Sequence, residues 1–281
     1  MPYFFSLLDS KNFFEKYWGR SHYIFKTEFN ILDYKQIIDT VIASNIHYPQ
    51  LRIIERGGSI SPYLYTDSDN NSLSNKINVA KFENLDLTGR TIKISGLEKY
   101  IKDISDLVDD VSAFFSGVDV SVNGYFSAEN ALGGSPHYDF YHIFAFQISG
   151  EKKWKIGSIV EHNPHKDLGH QLVENIDFYS EVKTSPGDVL YLPPGIWHDV
   201  STDTGSVHFA IGIQTPRVFN LLHQAIINIS KTSSLFRADI PLKYLNNIEN
   251  VELSDNVINE LLGMLKTYLQ ENNSAELLRK K

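Results

Sequence analysis

The period of the apolar positions changes twice along this chain, and the changes divide it into three stretches. In the first, "DSKNFFEKYW" places Phe13, Phe14, Tyr17 and Trp18 behind Asp9 or Ser10, either of which can cap a short helix. "SHYIFK" reads as a strand. "DYKQIIDTVIASN" carries Ile37, Ile38, Val41 and Ile42 at helical spacing, and "YPQLRIIER" returns to strand. From 57 to 78 Gly, Ser, Asp and Asn dominate, which predicts an exposed loop. "LEKYIKDISDLVDDVSAFFSG" spaces Ile101, Ile104, Leu107, Val108, Val111 and Phe114 as a helix ending near Gly117.

The middle stretch shortens its period. "VDVSVNGYFSA", "HIFAFQIS", "KKWKIGS", "DVLYLPPG", "WHDVST" and "VHFAIGIQ" are short β-branched and aromatic runs separated by Gly, Pro or Asp. Strands at such spacing predict an antiparallel sandwich or barrel. After Pro216 helical spacing returns in "RVFNLLHQAIINIS" and "DNVINELLGMLKTYLQENN", and the closing "RKK" reads as a frayed basic tail. No internal repeat interrupts this order.

Composition narrows the function classes. Hydrophobic content of 42% in 281 residues suits a globular protein with a sizeable core. The formal net charge is −8, with Lys+Arg 26 against Asp+Glu 34. That balance argues against nucleic acid as a partner, which needs a basic footprint, and suits a basic protein or peptide. With no cysteine there is neither a disulfide framework nor a thiolate metal site, so any metal must be held by His, Asp and Glu. The first twenty residues lack a basic segment followed by an apolar one, and no apolar run approaches the roughly 20 residues that cross a bilayer. The expectation is a cytoplasmic protein that does not enter the membrane.

Two stretches carry candidate chemistry. In "SPHYDFYHIF" strand alternation puts His137 and Asp139 on one face and Tyr138 on the other. Alone, that pair is weak evidence for a metal and reads first as a polar strand edge. The second stretch, "SPGDVLYLPPGIWHDV", runs from a strand through a Pro-Pro-Gly turn to His198, far enough along the chain for hairpins to bring it back. Two histidines and one carboxylate on one face of a metal leave three positions open, the arrangement of non-haem Fe(II) oxygenases.

Together "HYD", "QISGEKKW" and "PGDVLYLPPGIWH" resemble the JmjC-type, cupin-fold 2-oxoglutarate oxygenases, and within them the branch that hydroxylates side chains of ribosomal proteins. "FFEKYWGRSHYIFK" is similar to that branch's opening segment. The likeness is sharp over about 120 to 215, fainter over 10 to 30 and a matter of pattern elsewhere. It implies a mainly β double-stranded β-helix (cupin/JmjC jelly roll) from about 18 to 215, inside a domain of 1–215 with an N-terminal α/β segment. A helical region over 216–281 would then form a homodimer through Leu221, Leu222, Ile226, Ile227, Ile258, Leu261, Leu262 and Leu265, with the branch's final domain reduced or absent.

Carried over by position, the iron ligands are His137, Asp139 and His198, and Lys152 grips the distal carboxylate of 2-oxoglutarate, helped by Asn123 and Tyr125. Alternation allows only one of Lys152 and Lys153 to face inward. At about 3.3 Å per residue, a straight strand from Asp139 to the turn near Gly150 would hold Lys152 about 30 Å from the iron. The segment must therefore bend, with the hairpin strand beginning near Ile143.

The resemblance implies an Fe(II)- and 2-oxoglutarate-dependent dioxygenase that hydroxylates an amino-acid side chain in a protein or peptide. The same chemistry on a free amino acid or small metabolite, demethylation, or a non-catalytic cupin binding module are the alternatives. Other residues have plainer readings. Trp154 and Trp197 suit packing at the core or barrel rim, and His208 suits a hydrogen-bonded barrel histidine. Tyr138, Phe140 and Tyr141 fit an aromatic rim as well as a substrate opening. His162, His165 and His170 read as a solvated loop before they read as a zinc site.

Overall fold

The computed structural model describes residues 3–29, 36–68, 74–165, 180–239 and 254–272. The chain divides into two compact units, Met1–Thr215 and Pro216–Lys281. In the first unit Asp9 caps α1 (Ser10–Asn12) by accepting from the Asn12 N–H, and a single π turn over Phe13–Tyr17 follows. The helices α2 (Ile37–Ala43), α3 (Val79–Glu83) and α4 (Lys102–Phe114) accompany two antiparallel sheets.

The larger sheet has the order β1-β9-β6-β11-β5-β4-β2-β3. Its strands are β1 (Tyr23–Lys26), β2 (Leu51–Glu55), β3 (Gly58–Ser59), β4 (Arg90–Ser95), β5 (Asp119–Ser127), β6 (His142–Ser149), β9 (Asp188–Leu192) and β11 (Ser206–Gln214). The smaller has the order β10-β7-β8, from β7 (Lys152–Ile159), β8 (Ser180–Thr184) and β10 (Ile196–Ser201). The expected mainly β architecture, with helices towards both ends of the chain, is what the structure has.

Alternation assigns the two faces of the large sheet to different tasks. On the outer face Ile53, Ile92, Phe126, Phe144, Phe146, Phe209 and Ile211 join one apolar cluster with Phe4, Phe5 and Phe13. Burying side chains of this size is worth roughly 1.5–3 kcal/mol each, so this layer carries much of the fold's stability. On the inner face Ile143, Ala145, Leu190 and Leu192 meet Trp154, Ile156, Ile196 and Val200 of the small sheet. Towards β2 and β4 that inner face changes character. The strand register lines up Arg52, Lys93, Tyr125 and His208 as one transverse row across β2, β4, β5 and β11.

Several expectations need correction. The segment 57 to 78 is not simply an exposed loop: it contains β3 and a short helical turn at Pro62–Leu64, and Tyr65 and Thr66 are fully buried. Part of it, 69–73, lies outside the described residues, as do His170 and the "RKK" tail. Residues 138–141 form no strand, so His137 and Asp139 are not placed by simple alternation. Instead the chain bends there and β6 begins at His142, one residue before the expected start.

In the second unit, α5 (Val218–Thr232) and α6 (Asp255–Glu271) pack against each other, and Ser254 caps α6 by accepting from the Val257 N–H. Ala225 and Ile229 are buried, while Leu222, Ile226, Ile227, Ile258 and Leu262 remain exposed. No described helix is long and apolar enough to cross a membrane.

Candidate metal centre

Two neighbouring side chains, His137 and Asp139, meet the distant His198. His137 and His198 face each other across a reciprocal backbone pair: the His137 N–H donates to the His198 carbonyl at 3.0 Å, and the His198 N–H donates back at 2.8 Å. Asp139 is held through its backbone carbonyl, which accepts from the Gly195 N–H at 2.9 Å. The turn "PPGIW" is therefore part of the site. Gly195 has φ of +77°, and a Cβ there would lie 1.8 Å from the Glu161 carbonyl oxygen, so the position admits glycine alone.

Candidate ligand atoms of His137, Asp139 and His198 all lie within 4.8 Å of one another. The Oδ2 of Asp139 is 3.8 Å from His137 Nε2 and 3.6 Å from His198 Nε2. The other ring nitrogens face carbonyl groups, His137 Nδ1 at 2.6 Å from Ser135 and His198 Nδ1 at 3.1 Å from Ile196. Protons on both Nδ1 atoms satisfy those carbonyls and turn the Nε2 lone pairs inward, the outer contact that fixes a ligating histidine. Burial, reinforced by the His137 ring, pushes His198 down to about 4, so it is a neutral donor at physiological pH. Two imidazoles and a carboxylate suit a divalent iron better than a thiolate-seeking metal.

The cavity beside these residues has a volume of about 100 Å³ and is lined by Lys152, Trp154, Tyr125, His208, Lys93 and Ile54 among others. Lys152 is the inward-facing member of its pair and is 2% exposed. Lys153 points outward and pairs with Asp203. The Lys152 ammonium donates to Ser127 Oγ at 3.0 Å, and that hydroxyl lies 2.9 Å from Thr91 Oγ1. Among the described residues no carboxylate pairs with it. Burial pushes this lysine down to about 7, because the charged form is disfavoured where no anion accompanies it.

Tyr125 and His208 stack with ring centres 4.7 Å apart. His208 is buried, and its Nδ1 has no hydrogen-bond partner among the described residues, so it faces the cavity rather than serving as a satisfied barrel histidine. Asn123 sits two positions before Tyr125, on the same face of β5, but does not line the cavity. Trp154 donates its indole N–H to Thr184 Oγ1 at 3.0 Å and lines the cavity wall, while Trp197 is buried. Tyr138 is buried and meets Phe140 edge to face at 6.2 Å, and Tyr141 packs over Gly212. His162 and His165 join no group of metal-ligating side chains among the described residues.

Sequence reasoning passed over Arg52 and Lys93. The signal was present: "RTIKIS" alternates between Gly89 and Gly96, which sets Lys93 opposite the buried Ile92 and Ile94.

Residues 98–221 match the family model described as JmjC domain. Ribosomal oxygenase 2 of Mus musculus is 25% identical over 201 residues, covering 67% of this chain and 41% of that protein. Ribosomal protein uL16 3-hydroxylase of Escherichia coli (strain K12) is 30% identical over 93 residues, covering 32% of this chain and 24% of that protein. The chain thus spans well under two thirds of these relatives. The structure of the Escherichia coli ribosomal oxygenase YcfD in complex with cobalt and 2-oxoglutarate superposes with a TM-score of 0.65 at 15% identity, covering 95% of this chain and 68% of that one. At that identity the likeness establishes the fold.

Proposed function

We propose that this chain, whose residues 98–221 match the JmjC domain model, is an Fe(II)- and 2-oxoglutarate-dependent oxygenase that hydroxylates an amino-acid side chain in a protein or peptide. The observation that carries the reading is one small cavity in which a His137–Asp139–His198 group faces a buried lysine lacking an anionic partner. The names of the relatives point the same way, since one is called a ribosomal protein hydroxylase and another a ribosomal oxygenase.

The residues fit the two absent groups. His137, Asp139 and His198 would hold Fe(II), which activates O₂ for attack on a C–H bond when the co-substrate is bound. Lys152 receives the far carboxylate of 2-oxoglutarate, and Ser127 keeps the ammonium aimed into the cavity. The unpartnered Nδ1 of His208 and the Tyr125 beside it offer polar contacts along the same molecule. Trp154, Leu192 and Val200 wall the cavity against water, which strengthens each charged contact inside. A cavity of about 100 Å³ suits the co-substrate, so the oxidised side chain enters from the mouth.

A cytoplasmic homodimer is part of this proposal. A ribosomal-protein substrate would place the enzyme in the cytoplasm, and the exposed apolar positions of α5 and α6 suit a second copy. Succinate release from 2-oxoglutarate with Fe(II), and its loss in His137→Ala, tests the chemistry. Mass spectrometry of cellular proteins with and without the chain, seeking the gain of one oxygen, tests the substrate class. No decarboxylation with a metal-competent protein returns the chain to a binding module.

A further inference from the structure

Arg52 and Lys93 are directly opposite each other in the β2–β4 register, on the face that looks into the cavity. Like charges directly opposite on adjacent strands repel and destabilise the pair. Lys93 lines the cavity beside Asp139, with its ammonium 5.3 Å from the centre of the Tyr125 ring. Arg52 has a buried Nε without a hydrogen-bond partner among the described residues. Neither side chain forms an ion pair among those residues, and Asp139 is the one acidic residue lining the cavity. Glu55, three rungs along the same strand pair and on its other face, is taken by Arg90 at 2.9 Å.

The charges of the proposed loaded site close without this pair. A divalent metal and the Lys152 ammonium balance the Asp139 carboxylate and a dianionic co-substrate. Arg52 and Lys93 are then left uncompensated beside a partly buried site, an arrangement that is costly unless a further anion arrives.

We infer that Arg52 and Lys93 form a subsite for a carboxylate of the substrate, contributed by a glutamate or aspartate side chain near the residue presented to the metal. This rests on the oxygenase reading and adds a specificity to it. The planar guanidinium takes a carboxylate through two parallel N–H donors, while the lysine adds a point charge. The overall charge of −8 favours encounter with a basic partner, yet this pair selects an acidic group once the partner has arrived.

The test uses the full chain loaded with Mn(II) and 2-oxoglutarate, and two fluorescein-labelled degenerate peptide pools that differ only in glutamate or glutamine at one fixed position. Fluorescence anisotropy should show the glutamate pool binding at least tenfold tighter, within the range of a charge-assisted contact. That preference should vanish in Lys93→Met and in Arg52→Gln, and survive in Lys99→Met, a change at an exposed lysine. Competition by N-acetylglutamate as strong as that of the glutamate pool would support the same subsite with a small acid as its ligand.

Equal binding of the two pools overturns the subsite, as does no binding of the glutamate pool up to millimolar concentration, or a preference retained in both variants. Affinity for 2-oxoglutarate should stay within about twofold in Lys93→Met; a tenfold fall would assign the lysine to the co-substrate and overturn the inference. Succinate release, measured on the same protein loaded with Fe(II) in place of Mn(II), reads the oxygenase separately. Turnover without glutamate preference removes the subsite alone, whereas glutamate preference without turnover removes the oxygenase alone.

Discussion

Replacing Lys152 with methionine should make the protein more stable while removing its hold on the co-substrate. The Lys152 ammonium is buried with a single hydroxyl partner, and burial lowers it from the ordinary 10.5 to about 7. That fall corresponds to about 5 kcal/mol disfavouring the charged form in the folded chain. The Ser127 contact offsets about 2 kcal/mol, leaving about 3 kcal/mol to be recovered by an apolar side chain of similar length. The sign follows from proton counts. Between about 7 and 10.5 the unfolded chain binds a proton that the folded one does not, so wild-type stability rises with pH across that window. Below about 7 both states are protonated and the penalty is fully present. Urea denaturation at pH 6.5 should therefore show Lys152→Met ahead by about 3 kcal/mol, shrinking to about 1 kcal/mol or less at pH 9.5. Calorimetric titration of the Mn(II)-loaded variant should show 2-oxoglutarate binding weakened about a hundredfold. A variant less stable than wild type at pH 6.5, or a gap that does not narrow at pH 9.5, would refute the buried-cation reasoning.

Other perturbations read different parts of the site. Asp139→Asn should lower Mn(II) affinity by about a hundredfold, measured by competition with a fluorescent chelator, because the one anionic ligand is lost. Gly195→Ala should cost about 3 kcal/mol in chemical denaturation and weaken metal binding as well, since its N–H seats Asp139 and its φ is positive. For His198, the folded form resists protonation down to about 4, so the metal-free protein should lose up to about 3 kcal/mol as pH falls from 6.5 towards 4. His198→Asn should show a shallower loss over the same range; an equal slope would exclude the histidine as its source. If the proposed homodimer forms through α5 and α6, Ile226→Glu with Leu262→Glu should convert it to a monomer in sedimentation velocity, leaving succinate release within about threefold.

The strands and the site were not equally legible in the sequence. β5, β6, β9 and β11 announce themselves because both of their faces, or one whole face, are largely apolar, and β7 and β10 because aromatic and β-branched residues recur in them between Gly and Pro turns. β8 was missed because "SEVKT" alternates charged and half-exposed residues on the free edge of the small sheet, where little needs to be buried. β3 is only two residues long and β4 sits between polar turns. Tyr65 and Thr66 were hidden in a polar stretch because burial there is set by tertiary packing rather than by period. The metal triad was readable as residue types, yet the means of assembling it was not. A reciprocal hydrogen-bonded pair between His137 and His198, and a glycine seating Asp139, belong to the folded chain alone. Alternation allowed only one of Lys152 and Lys153 to face inward, the resemblance pointed to Lys152, and Lys152 is the buried one. Arg52 and His208 were harder, because a polar residue on a strand face reads as solvent-facing until the opposing sheet is known.

The most direct measurement of the central claim is anomalous scattering from crystals grown with Mn(II) and 2-oxoglutarate. The account predicts one strong peak at coordination distance from His137 Nε2, His198 Nε2 and an Asp139 carboxylate oxygen, with the far end of the bound dicarboxylate on the Lys152 ammonium. A fully occupied metal bound elsewhere, or a dicarboxylate lying away from Lys152, would contradict it.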